Sequence, residues 1–311
     1  MPCLETKEFP YYPTDRKWRR NKFEAFLRYQ GYLWDDKDIK QTMHGLALCW
    51  SYMPHSYEVQ CSGLRTPLQT FYEVPEEILK KKMSQMARFL DSPDGMRRVC
   101  KIMTGSQGVS NFRPTAAHAI YNRFLPEGGL TWDMSGGYGG RLLGAIKSQI
   151  NYIATEPTTK TVNGLREIIN DWGTISNIFR KVSHLEIVQS GSEDFLPDKN
   201  SLDLCFTSPP YFDTEHYSDD ETQSYIKFPT QIQWADGFLR KTIQNCYYGL
   251  KQNCYMLINI ANVSSFKNLE DVTIEVTEQE GFVHEDTYRL ALSKINSGGF
   301  KYEPVFVFRK K

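Results

Sequence analysis

From residue 111 onward, short apolar runs alternate with amphipathic stretches. Apolar spacing near 3.6 residues predicts helices over 115–124, 141–149, 161–172, about 232–250 and 269–279. Compact runs rich in β-branched and aromatic residues predict strands at 130–133, 152–155, 185–189, 202–207 and 255–260, and two more, 284–292 and 302–308, close the chain. Strand and helix in alternation build a parallel sheet with crossover helices, so residues 105–311 read as an α/β, Rossmann-like domain of seven strands. Residues 1–104 lack that alternation. They offer a basic and aromatic helix after Pro13, a segment with His55, Cys61 and Pro67, and a helical run over 75–90 that begins Pro-Glu-Glu and continues into three lysines. This reads as an irregular, mainly helical N-terminal region. The loop over 212–230, carrying Asp-Thr-Glu-His-Tyr-Ser-Asp-Asp-Glu, is long, acidic and aromatic, and such loops in compact domains are usually functional or mobile.

Length and composition narrow the class. At 311 residues the chain holds about two domains or one enlarged α/β domain, and 40% hydrophobic with 24% charged residues describes a soluble globular protein. The N-terminus has no signal-peptide core and no stretch approaches the ~20 apolar residues of a membrane span, which predicts a cytoplasmic protein without a membrane partner. Seven cysteines without a CxxC pair predict reduced thiols and no metal site. The formal charge is zero overall, yet residues 1–110 hold 17 Lys and Arg against 13 Asp and Glu, and residues 111–311 hold 20 against 24. Five of the seven residues at 16–22 are basic: Arg16, Lys17, Arg19, Arg20 and Lys22, with Trp18 among them. That mixture suits phosphate contacts with stacking, and it equally fits a solvated helix face over an aromatic core.

Three signals carry chemistry. Asp133-Met-Ser-Gly-Gly-Tyr-Gly-Gly-Arg141 lies where the first strand gives way to a helix, and its glycines let the backbone turn sharply toward a ligand at a helix N-terminus. A dinucleotide fingerprint would want a glycine where Leu142 stands, and no lysine follows as a phosphate-binding loop requires, so NAD and ATP are disfavoured. Taken alone, the turn is equally a plain tight turn. Glu156 ends the second strand, where a carboxylate can accept both hydroxyls of a ribose. Thr207-Ser-Pro-Pro-Tyr-Phe212 follows an apolar strand. Two prolines fix a rigid loop, and Ser208, the carbonyl of Pro209 or Pro210 and the Tyr211 ring make acceptors and a stacking surface suited to a planar amino group.

With these residues the chain, from about Asn111 onward, resembles the S-adenosylmethionine-dependent DNA amino-methyltransferases. Asp133-Met-Ser-Gly-Gly-Tyr-Gly139 is similar to their D-P-F-x-G-x-G turn, with Met134 and Ser135 in place of Pro-Phe, and Ser208-Pro209-Pro210-Tyr211 is similar to their [DNS]-P-P-[YFW] catalytic loop. The resemblance implies S-adenosylmethionine as cofactor, with Asp133, Ser135, Gly137 and Gly139 at the methionine moiety, Glu156 at the ribose and Glu193 or Asp194 at the adenine. It also implies that the segment with Asn111, Arg113 and Thr115 closes over the methionine carboxylate. The partner it implies is double-stranded DNA with the target base flipped out, and a cognate restriction nuclease fits the same setting. Serine in the loop leans the reading to cytosine N4, with adenine N6 or an RNA base as alternatives, and a catalytically silent DNA-binding subunit as the non-enzyme reading. Ring carbon-5 methylation needs a Pro-Cys nucleophile, and the chain's only Pro-Cys is Pro2-Cys3 at its extreme N-terminus. Target recognition falls to residues 1–104, with the 16–22 cluster as the DNA contact.

Overall fold

A computed structural model describes residues 7–86, 92–174, 184–294 and 299–311. Its strands are β1 (Trp34–Asp35), β2 (Asp38–Ile39), β3 (Gln60–Cys61), β4 (Leu130–Asp133), β5 (Asn151–Thr155), β6 (Leu185–Val188), β7 (Leu202–Thr207), β8 (Glu215–His216), β9 (Leu250–Asn259), β10 (Phe282–Lys294) and β11 (Phe300–Lys310). One sheet has the order β1-β2-β10-β11-β9-β7-β4-β5-β6, and β3 pairs with β8 in a second, two-stranded sheet. β6, β5, β4, β7 and β9 run parallel, while β11 is antiparallel to both β9 and β10. The chain enters at β4, works outward to β6, then returns to β7 on the other side of β4. That reversal makes a crevice at the carboxyl ends of β4 and β7, the place where open α/β sheets bind ligands.

The helices are α1 (Arg16–Arg28), α2 (Leu46–Tyr52), α3 (Pro67–Glu73), α4 (Glu76–Ser84), α5 (Pro93–Ile102), α6 (Pro114–Phe124), α7 (Gly140–Ser148), α8 (Thr159–Trp172), α9 (Ser224–Lys227), α10 (Gln231–Gln233), α11 (Lys241–Gly249) and α12 (Leu269–Gln279). Side chains alternate across the sheet and fill two cores. Leu204 and Phe206 face the one with Ile120, Leu142 and Leu165, whereas Trp132 and Cys205 face the one with Ile243 and Leu269.

The seven expected strands and their crossover helices are all present, most within one to three residues of the expected ends. β9 departs furthest, beginning at Leu250 rather than 255. The seven-strand expectation is nevertheless short by two, because β1 and β2 extend the sheet beyond β10. Each is two residues long, too short for an alternating pattern, and β2 is held by pairing with Arg289 and Leu290 and by Arg289 Nε donating to Asp38 Oδ1 at 2.6 Å. The helix expected over 232–250 runs from Gln231 to Gly249 but widens into a π-helix at Trp234–Arg240. α4 covers the front of the run expected over 75–90, whose residues 87–90 lie outside the described residues.

The N-terminal region is irregular and mainly helical, yet it is packed into the main core. Phe23, Phe26, Leu46 and Trp50 share one buried cluster with Tyr121 and Leu142. Among the described residues no helix is long and apolar enough to cross a membrane, and no group of three His, Cys, Asp or Glu is placed to hold a metal ion.

Candidate active site

β4 delivers Asp133, fully buried, into the glycine turn. Its Oδ2 accepts from Arg141 Nε and Tyr152 Oη, both at 2.7 Å, and its Oδ1 accepts from Ser135 N at 3.2 Å and Thr207 Oγ1 at 3.3 Å. One carboxylate thereby ties β4, β5, β7, α7 and the turn together, and those four bonds leave it engaged with the protein. Arg141 also donates to the Ser135 carbonyl, clamping the turn from its far side.

Glycine is obligatory at two points. Gly139 has φ +81°, and a Cβ there would meet Ile168 Cδ1 at 2.7 Å; at Gly140 a Cβ would overlap the Phe112 carbonyl oxygen at 1.8 Å. The segment 111–113 crosses the turn at that point, with Asn111 Nδ2 donating to the Tyr138 carbonyl at 3.0 Å and Arg113 capping α6. Thr115 is buried and bonded to Thr42 N at 3.0 Å, away from the cavity.

Glu156 stands at the end of β5. Gly137 N donates to its Oε2 at 3.1 Å and Thr158 N to its Oε1 at 3.0 Å, with the Thr158 hydroxyl also bonding the carboxylate; burial raises its carboxyl above the usual range. Glu193 is 5% exposed. Its Oε1 accepts from Lys227 Nζ at 2.9 Å, while its buried Oε2 has no partner. Asp194 also binds Lys227 but stays exposed, so of the two acids it is Glu193 that faces the cavity.

β7 feeds the third signal. After Ser208, Pro209 and Pro210, Tyr211 Oη lies 3.3 Å from Glu303 Oε2 and 3.4 Å from the Asn259 carbonyl, and it donates toward both. Thr214 N and Oγ1 return to the Tyr211 carbonyl at 3.3 and 2.9 Å. Phe212 takes φ +58°, rare for a bulky residue, and its ring is wedged beside Trp234 and Phe266. The loop is therefore held in a conformation its own sequence would not choose.

These parts open on one cavity of about 1580 Å³. Asn111, Arg113, Ser135, Gly137, Glu156, Glu193, Ser208, Pro209, Pro210 and Tyr211 line it; Asp133, Gly139, Thr115 and Asp194 do not. Of the basic cluster, only Lys22 reaches the lining, together with Trp18. Arg16, Lys17 and Arg20 are exposed on α1. Arg19 turns inward: its guanidinium lies 3.6 Å from the Tyr52 ring centre and donates to Ser51 Oγ at 3.2 Å and to the Ser51 carbonyl at 2.8 Å.

Several lining residues carry no signal of their own in the sequence. Lys101 sits over the rings of Trp50 (4.0 Å) and Tyr57 (4.8 Å), and burial lowers it to about 8. Glu215 and Glu303 flank the Ser208–Tyr211 loop. Burial, and then the charge of Glu303, push Glu215 up to about 7, and burial raises Glu303. The acidity of the 212–230 loop was the available signal for Glu215; nothing local marks Lys101 or Glu303, which arrive by tertiary packing.

No protein-family model matches the sequence, and no curated protein does. Among solved structures, the chain is similar to an S-adenosylmethionine-dependent methyltransferase of Methanosarcina mazei (10% identity, 61% of this chain and 96% of that one, TM-score 0.42). It is also similar to magnesium protoporphyrin IX methyltransferase of Synechocystis, solved with bound S-adenosylmethionine (8%, 64% and 79%, 0.44), and to a methyltransferase of Pyrococcus furiosus (14%, 63% and 82%, 0.43). Likenesses this loose carry no function, and the residues of the cavity must do so.

Proposed function

We propose that this protein is an S-adenosylmethionine-dependent methyltransferase acting on the exocyclic amine of a nucleic-acid base, with cytosine N4 of DNA as the favoured target. One observation carries the reading: the Ser208-Pro209-Pro210-Tyr211 loop and the Glu156 carboxylate open on the same cavity at the switch point of the sheet. The residues fit the cofactor's polar groups. Glu156 has acceptor capacity left for a ribose hydroxyl, the unpartnered Glu193 Oε2 suits an amino donor, and Arg113 forms no ion pair among the described residues and suits a carboxylate.

When bound, S-adenosylmethionine supplies an electrophilic methyl group on sulfonium sulfur, so the protein's work is positioning and electrostatics. Ser208 and the loop carbonyls accept from the two amino protons, turning the nitrogen lone pair out of the ring plane. Tyr211, fixed through its hydroxyl, offers its ring for stacking. A base in a duplex reaches the loop only when flipped out of the stack, at a cost of a few kcal/mol.

The test is transfer of a labelled methyl group to unmodified DNA and to RNA, followed by nucleoside mass spectrometry. N4-methylcytosine in DNA is expected. N6-methyladenine would move the assignment to adenine, a product confined to RNA would replace the substrate, and binding of S-adenosylmethionine without any nucleic-acid product would remove the reading.

A further inference from the structure

Transfer to an amine leaves a proton to be disposed of, and the loop's acceptors are ill suited to keep it, since a serine hydroxyl and amide carbonyls are very weak bases. Two carboxylates stand next to that loop. Glu215 begins β8, four residues beyond Tyr211, and β8 is held by antiparallel pairing with β3, where Cys61 lies opposite Glu215. Glu303 belongs to β11 and binds the Tyr211 hydroxyl at 3.3 Å. Both line the cavity with the catalytic loop, and neither forms an ion pair among the described residues. Burying two like charges without a cation is costly, so groups kept this way are candidates for chemistry rather than for stability.

We propose that Glu215 is the proton acceptor of the methyl transfer and that Glu303 positions Tyr211. The inference rests on the methyltransferase function proposed for the same cavity. In the step, the amine nitrogen uses its lone pair to form the new N–C bond, and the electron pair of the breaking S–C bond stays on sulfur. The nitrogen, now formally cationic, releases one proton to a Glu215 oxygen, which returns it to solvent once product has left. Atoms and charge balance without a further reactant.

The surroundings of Glu215 fit an acceptor working near neutrality. Desolvation and the Glu303 charge weaken its acidity, and the Tyr217 hydroxyl beside it offsets part of that shift. The other titratable groups facing it, Tyr138, Tyr211, Tyr217 and Cys61, are all held protonated at neutral pH by burial, so none competes for the proton. Its β-ladder partner and the bonds from Thr214 to the Tyr211 carbonyl fix its backbone relative to the loop.

The test is the pH dependence of single-turnover methyl transfer into unmodified DNA by the whole protein. Glu215 must be ionised to act, so the wild-type rate is expected to rise with pH with a midpoint of about 7 and to level off above that midpoint. Glu215→Gln should lower the plateau roughly 10²-fold and abolish the limb, and Glu215→Asp should keep a weakened limb. Glu303→Gln should shift the limb to lower pH, because a neighbouring negative charge is gone; a merely structural glutamate would move the rate but not the midpoint. Calorimetric affinity for S-adenosylmethionine should match wild type in Glu215→Gln, which also reports that the variant is folded. An active wild type whose limb persists unchanged in Glu215→Gln overturns this inference alone. A wild type that binds the cofactor and methylates no nucleic acid overturns the proposed function, and the inference with it.

Discussion

The two walls of the cavity have opposite characters. Residues before Pro114 contribute Lys22, Arg97, Arg98, Lys101 and Arg113 to the lining against one acid, Asp94, which is paired with Arg97. The sheet half contributes Glu156, Glu193, Glu215, Glu270 and Glu303 against Arg141 and Lys301. Glu156 follows β5, Glu215 begins β8, Glu303 lies within β11 and Glu270 in α12; the cations come from an irregular region and include two, Lys101 and Arg113, without a carboxylate partner among the described residues. An amine donor and a polyanionic backbone presented by one substrate would each find the matching wall. The division therefore teaches more about the substrate than the whole-chain charge of zero.

The largest effect should come from breaking the sheet wall from beneath. Arg141→Met leaves Asp133 as a buried carboxylate without its cation, which costs about 3–5 kcal/mol. Denaturant titration should show that loss, and if stability is unchanged then the Asp133 hub does not hold the turn. Next, Ser208→Ala should lower the methyl-transfer rate about 10²-fold or more with little change in cofactor affinity, because the serine acts on the amine chiefly at the transition state. A variant with full single-turnover rate would reduce the loop to a structural turn.

Glu156→Ala sharpens the same wall with a smaller effect. It should weaken S-adenosylmethionine binding by about 1–3 kcal/mol with the fold retained, as read by calorimetry. Wild-type affinity would move the ribose elsewhere.

What the sequence made legible follows the same division. β4, β7 and α12 lie where their apolar periods put them, and the residues placed by a regular strand end, Glu156 and the Ser208 loop, fall together as their spacing implies. Asp133 differs: its position at the end of β4 is local, but its engagement with Tyr152, Thr207 and Arg141 comes from three other elements and no window of sequence contains it. The N-terminal region was opaque for a related reason. Its pieces β1, β2 and β3 are two residues each and exist because β10 and β8 offer backbone partners, so tertiary pairing rather than propensity forms them. Arg19 shows the same limit, reading as one of five cations yet stacked inward on Tyr52.

The smallest effects belong to the basic wall, and they decide whether it faces phosphate. Removing one cation that neutralises a phosphate should flatten the dependence of log affinity on log salt by ~0.9, so Lys101→Gln should flatten the slope for duplex DNA by about one unit. Arg19→Ala should leave the slope alone and lower the melting temperature, since its guanidinium serves Ser51 and Tyr52. pH separates Lys101 from the guanidinium groups. Burial puts its ammonium at about 8, so in the free protein the charge is present below that value and absent above it. Duplex affinity should then fall as pH rises through 8 to 9 in the wild type, and Lys101→Arg should remove that fall, because arginine stays protonated throughout. An affinity indifferent to pH in the wild type, with a salt slope that Arg16→Ala, Lys17→Ala and Arg20→Ala together flatten, would place the nucleic acid on the exposed face of α1, and the two walls would no longer share one substrate.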